Sequence, residues 1–138
     1  MRNAINVISF LVIGISVLLI WHFKSETEDN VNKLNRASAE LVMIAINNFY
    51  SKNADYPEDI NQLMDYISHP DSLFYHDSET VEKKAWIYNR PTGALNQKES
   101  VILLISPSHN GDGLFVVGWS TGKVEMLTQE EINSLHSE

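Results

Sequence analysis

The stretch Ala4-Ile-Asn-Val-Ile-Ser-Phe-Leu-Val-Ile-Gly-Ile-Ser-Val-Leu-Leu-Ile-Trp-His-Phe23 decides how this chain is to be read, because no charge interrupts it over twenty positions. As a helix rising 1.5 Å per residue it reaches roughly 30 Å, about the hydrocarbon thickness of a bilayer. Its polar members, Asn6, Ser9, Ser16 and His22, are neutral, and the hydroxyls can bond back to carbonyls one turn earlier, so insertion in lipid is permitted. Trp21 and His22 fall where an interfacial belt sits. Ser9, Gly14 and Ser16 are small enough to let another helix approach closely in the membrane. The expectation is an uncleaved anchor over residues 1–24 and a single domain over 25–138. A cleaved signal peptide fits less well, since the apolar core is long and Ile20 to Ser25 offers no small-x-small site. Arg2 precedes the span and Lys24 is soon followed by acids. Positive-inside bias then places the amino terminus in the cytoplasm and the domain on the periplasmic or outer side of the inner membrane.

The 138 residues carry a net charge of −8, and Lys83-Lys84 is the sole adjacent basic pair. A partner with a phosphate backbone demands the opposite balance, so nucleic acid is not expected. The chain has no cysteine, which excludes disulfides, thiolate metal sites and lipid attached at a thiol.

From Ser25 to Asn53 there is no Gly or Pro, apolar or small residues recur at Val31, Leu34, Ala37/Ser38, Leu41, Ala45 and Phe49, and Val42, Ile44 and Ile46 widen the stripe. That spacing predicts a helix continuous with the anchor, a spine with a polar neck and a core-facing half. Leu34, Leu41, Ile44, Ala45 and Phe49 are its expected core residues. Tyr56-Pro57 opens a short second helix with Ile60, Leu63, Met64 and Ile67 on one apolar face. Residues 68–80 read as a loop. Strands follow over 85–89, 100–106, 114–119 and 123–127, with a turn at 90–93, and the unbroken apolar run Val101 to Ile105 is an interior strand. Tight connections make them an antiparallel meander. Thr128-Gln-Glu-Glu131 is a capping box that opens a terminal helix through Ile132 and Leu135. The fold class is α+β: a long helix packed on a small antiparallel meander, with two short helices.

Candidates for chemistry are few. The histidines, at 22, 69, 76, 109 and 136, lack zinc-site spacing. His76-Asp77 near Glu79 lies in a polar loop. Asn110-Gly-Asp112-Gly resembles part of a calcium loop without its closing Glu, and reads better as a hairpin turn. Ser106 and Ser108 sit in no nucleophile elbow. Trp86, Tyr88 and Trp119 are expected in the core rather than on a ligand platform. No enzyme activity, metal, cofactor or small-molecule substrate is expected.

The element order resembles the type IV pilin and type II secretion pseudopilin superfamily, on several short matches. Phe49-Tyr50 leads to Asp55-Tyr56-Pro57, like the end of the long helix and the Tyr-Pro pair in many pseudopilin-like proteins. The region His109-Asn110-Gly111, a strand, Thr121-Gly122-Lys123-Val124 and Leu127-Thr128-Gln129-Glu130-Glu131 looks like a degenerate copy of the pilin-like pattern His-x9-Asp-Gly. Here the spacer is eleven residues and Thr121 stands for the Asp. The resemblance implies a membrane-anchored subunit that meets other pilin-like subunits or secretion-platform proteins through its long helix. The Gly-aromatic junction and fifth-position Glu of prepilins have no counterpart at Gly14-Ile15 and Leu19. Side-by-side packing without prepilin-peptidase cleavage is therefore expected. The alternative is a stand-alone anchored binding module of the cell envelope.

Overall fold

The computed structural model describes residues 2–135 apart from 78, 79, 81 and 92–99, with side chains from residue 15 onward. A single helix, α1 (Arg2–Asn53), runs through the expected anchor, neck and core half without a break. Nothing in Ser25 to Asn53 interrupts its hydrogen bonding. The pairs Lys24–Glu28, Asp29–Lys33 and Arg36–Glu40 close across one turn of its exposed surface, each contributing about 0.2 to 0.5 kcal/mol. The helix ends where Ala54 turns left-handed at φ 55° and its N–H returns to the Tyr50 carbonyl at 2.8 Å, an αL cap in which alanine occupies the place glycine usually takes. Beyond it Pro57 is fully buried.

Two antiparallel sheets lie against the second half of α1. The larger holds β3 (Ile87–Tyr88), β4 (Ile102–Ile105), β5 (Leu114–Trp119) and β6 (Val124–Thr128) in that order. The smaller pairs β1 (Phe74–His76) with β2 (Lys83–Ala85). As the apolar run implied, β4 is interior and buries both Leu103 and Leu104, with Leu103 inside the register shift between Ile102 and Leu104. Val116, Val117 and Gly118 of β5 are buried. A Cβ at Gly118 would lie 2.6 Å from Met43 Sδ and 3.1 Å from Leu104 Cβ, so the helix rests on the bare backbone of β5. The capping box forms as read: Thr128 N–H donates to Glu131 Oε2 at 2.8 Å and Glu131 N–H to Thr128 Oγ1 at 3.2 Å. It opens α2 (Gln129–Leu135), whose Ile132 is buried. The Thr128 N–H and the Thr128 hydroxyl, which donates to the same Oε2 at 2.9 Å, hold the Glu131 carboxyl below the usual range.

Four expectations are corrected. The second helix is a 3₁₀ helix, Ile60–Tyr66, capped by the Asp59 carboxylate on Asn61 N–H. With three residues per turn, Ile60, Leu63 and Tyr66 align and Met64 turns outward. The expected loop over 68–80 contains a 3₁₀ turn (Pro70–Leu73) and β1, in which Leu73 and Tyr75 are buried and Phe74 is exposed. The strand expected over 85–89 is split between the two sheets at the buried Trp86. Most consequentially, the buried face of α1 keeps the expected Val42, Ala45 and Ile46 but is turned away from Leu34 and Ile44. Its buried side comprises Asn35, Ser38, Ala39, Val42, Met43, Ala45 and Ile46, while Leu34 is 48% and Ile44 55% exposed. Leu41 and Phe49 are partly buried against the core, and Ala45 is fully inside. Ile44 lies two residues from both Val42 and Ile46, which at 3.6 residues per turn puts it on the far side. The turn expected over 90–93 falls partly outside the described residues.

Packing on this face gives a direct contrast between neighbours of the same residue type. Ile46→Ala should destabilise the protein by about 2 to 5 kcal/mol, and Ile44→Ala by no more than about 0.5 kcal/mol. Thermal unfolding of the full chain in detergent reads the difference, and equal losses would refute the rotated face.

Candidate interaction face and the polar clamp behind it

The residues singled out in the sequence fall on α1 and on the turns at either end of β5. Ser9 and Gly14 lie outside the described side chains. Ser16 and Trp21 stand on the exposed surface of α1, and the helix from Ile15 to Phe23 is apolar all round, with Ile15, Val17, Leu18, Leu19, Ile20, Trp21 and Phe23 each 51–69% exposed. Among the described residues no helix is long and apolar enough to cross a membrane; the first half of the expected span, residues 4–14, lies outside that description.

His109, Asn110 and Gly111 precede β5. The Asn110 Oδ1 accepts the N–H groups of Asp112 at 3.0 Å and Leu114 at 2.9 Å, so this oxygen closes a turn and is occupied by its own backbone rather than offered to a cation. His109 packs edge-on against Phe115 with ring centroids 5.9 Å apart. The turn leans on the neck of α1, where a Cβ at Gly111 would come 3.1 Å from Glu28 Oε2. Gly122, at the far end of β5, adopts φ 85° in the β5–β6 turn and sits beside Asn47. The two motif turns are therefore held apart at opposite ends of one strand, and form no common site.

The densest polar chemistry is elsewhere, between α1 and the hairpin β1–β2. The Asn35 side chain, 1% exposed, donates from Nδ2 to the His76 carbonyl and accepts the His76 N–H on Oδ1, both at 2.8 Å. A primary amide offers a donor and an acceptor side by side, as a peptide unit does, and so it completes the edge of β1 as a neighbouring strand would. Beside it the buried Asp77 carboxylate accepts from Lys84 Nζ, from Ser108 Oγ at 3.1 Å and from Thr80 N–H at 3.0 Å. This differs from the solvated loop expected for His76-Asp77. The hydrogen bond from Lys84 to Asp77 is the main reason its ammonium is held above the usual lysine value, and an ammonium so held is a poor base. Ser106 Oγ receives Val116 N–H at 3.0 Å and donates to the Ser108 carbonyl at 2.9 Å, tying the same turn to β5.

Trp86 is buried, donates Nε1–H to the Ser72 carbonyl at 3.1 Å and meets Tyr75 edge-on at 5.6 Å, in keeping with a core role. Tyr88 and Trp119 are half-buried, and burial pushes the Tyr88 hydroxyl up to about 12. An open cleft of about 340 Å³ lies beside Trp119, Asn89, Val101 and Leu135. Among the described residues no group of three or more His, Asp or Glu is placed to hold a metal ion. The clamp is not visible in the sequence because Asn35 interrupts the apolar stripe and its partner, His76, lies 41 residues away. The available signal was the short apolar and aromatic run Leu73-Phe-Tyr75, which suits a strand.

Two outcomes follow from the clamp. Asn35→Ala leaves the His76 N–H and carbonyl without partners and should cost about 1 to 3 kcal/mol for each group stranded, whereas Asn30→Ala on the exposed neck should change stability by less than about 0.5 kcal/mol; urea denaturation that fails to separate the two would remove the clamp. The second concerns pH. The folded Lys84 value lies above the unfolded value of about 10.4, so the Asp77–Lys84 contribution is complete below that pH and is lost as pH rises through the folded value. Buried Tyr75 and half-buried Tyr88, also raised, lose stability in the same alkaline direction. Melting temperature should therefore fall from pH 9 to 12 more steeply in the parent chain than in Lys84→Met, and parallel curves would show that the ion pair contributes nothing.

No family model, curated protein or solved structure matches the chain.

Proposed function

We propose that this is a non-enzymatic, membrane-anchored, pilin-like subunit of a secretion or pilus-type assembly. Residues 1–24 would lie in the inner membrane with the amino terminus cytoplasmic, and the domain on the periplasmic or outer side. The observation that carries the reading is the change of character along one unbroken helix. From Ile15 to Phe23 every large side chain except His22 is apolar and all are exposed, whereas from Asn35 to Ile46 one face is buried in the domain. A helix apolar on all sides requires lipid or other helices around it, and fully exposing a Leu or Ile side chain to water forfeits about 1.5 to 3 kcal/mol relative to burying it. Continuity of α1 then makes the domain a rigid extension of the anchor, the arrangement needed when subunits meet through their long helices. The pilin-like order of helix, meander and terminal helix supports the same reading. A stand-alone anchored module that does not polymerise is favoured by one observation, the lack of a Gly-aromatic junction and fifth-position Glu at Gly14, Ile15 and Leu19.

Alkaline carbonate washing should leave the protein in the membrane pellet, and protease added from the outer side should remove the domain while sparing the anchor. Release into the soluble fraction, or protection of the domain in right-side-out cells, overturns the topology. A mature chain beginning at Ile15 would mean that prepilin-type processing occurs.

A further inference from the structure

Leu34, Ala37 and Ile44 are exposed, and Leu41 between them is partly covered by the core. Single apolar residues on a surface need no explanation. These four are spaced 3, 4 and 3 residues apart, which places them on one stripe of α1 beside the buried face, at the a and d positions of a heptad. The same register continues upward through Asn30 and Thr27 to the exposed Phe23 and Ile20, and downward to Asn48. On one flank of the stripe Ser38 and Ala45 are already buried in the domain. What remains is one stripe wide, enough for a single neighbouring helix and too narrow for a larger bundle.

We infer that this stripe is a self-pairing seam, in which Leu34, Ala37, Leu41 and Ile44 meet the same residues of a second copy lying parallel and in register. The inference rests on the membrane-anchored reading above. The area decides what kind of partner fits. Three exposed side chains and the partly covered Leu41 offer on the order of a few hundred Å², against the roughly 1,200–2,000 Å² of a specific soluble interface. A free protein would not be held by it. A chain confined to the same bilayer arrives parallel and at high effective concentration, and needs no more. Chemistry favours an identical copy. Asn30 and Asn48 lie on the seam, where an amide opposite an apolar residue is penalised, and a parallel in-register pair sets each opposite its own counterpart. The flanking charges bring no repulsion, because Asp29–Lys33 and Arg36–Glu40 are closed within each helix.

Single-cysteine variants of the full chain test this in membranes, with no native thiol to confuse the result. On mild oxidation Ala37→Cys, Leu41→Cys and Ile44→Cys should form disulfide dimers at least about tenfold faster than Arg36→Cys, since only seam positions bring like Cα atoms within the roughly 4.4–6.8 Å a disulfide spans. Adding Ile44→Glu to the Leu41→Cys chain should abolish the dimer while leaving the melting curve of the exposed-site variant unchanged. Uniform linking at all four positions, absence of linking in a protein that stays in the carbonate-washed pellet, or persistence of the dimer with Ile44→Glu overturns the seam and leaves the anchored reading standing. An adduct with a different protein in place of the dimer overturns the choice of a second copy. A chain released by carbonate overturns both.

Discussion

The seating of Met43 on Gly118 sets the distance between the long helix and the sheet, and the rest of the domain is arranged around that distance. With no Cβ at 118, the Met43 thioether reaches the backbone of β5, and Val42, Ala39 and Ile46 can then enter the core on either side. The two turns that flank β5 come to the same helix, Gly111 against Glu28 and Gly122 against Asn47. These contacts advance in the same order along both chains, so β5 runs beside α1 in the same sense. Because β4 and β6 pair with β5 on its two sides, this single alignment orients the whole four-stranded sheet. Methionine suits the position, being unbranched and able to fill the irregular space above a bare backbone.

The smaller sheet depends on polar contacts. A two-stranded hairpin is marginal in water unless something else holds it. Here β1 is completed on one side by β2 and is met at His76 by the Asn35 amide. Asp77 gathers Lys84 from β2 and Ser108 from the turn before β5, so the hairpin is tied at once to the helix and to the larger sheet. Tyr75 and Trp86 supply the apolar part of that junction. The network is specific in geometry because each buried donor or acceptor that lost its partner would carry a full desolvation cost.

The candidate interaction face was partly legible. The apolar run from Ala4 to Phe23 and the absence of a helix breaker through Asn53 announce a long helix whose first half is apolar. Leu34, Leu41 and Ile44 were also visible as an apolar stripe, but the stripe was assigned to the core. Two overlapping apolar faces exist on this helix, and the one that is buried contains Asn35 and Ser38. Polarity alone argues against burying those two. The burial of Asn35 is tolerated because the His76 backbone satisfies its amide, a partner 41 residues away that no local pattern reveals.

What the amino-acid sequence determined by itself was local. It specified the continuity of α1, from uninterrupted helix-compatible residues; the interior strand β4, from five apolar residues in a row; and the terminal helix, whose capping box satisfies its own end groups within four residues. Tertiary structure alone decided which face of α1 turns inward, that Ile60–Tyr66 winds as a 3₁₀ helix, that residues 74–76 become a strand, and that Trp86 marks the passage between two sheets. Each of these depends on a group distant in sequence, the His76 peptide, the ring of Phe49 beside Tyr66, the edge of β2, the carbonyl of Ser72. A periodic pattern shows that a face is apolar, and only the partner that meets it determines whether that face is core or surface.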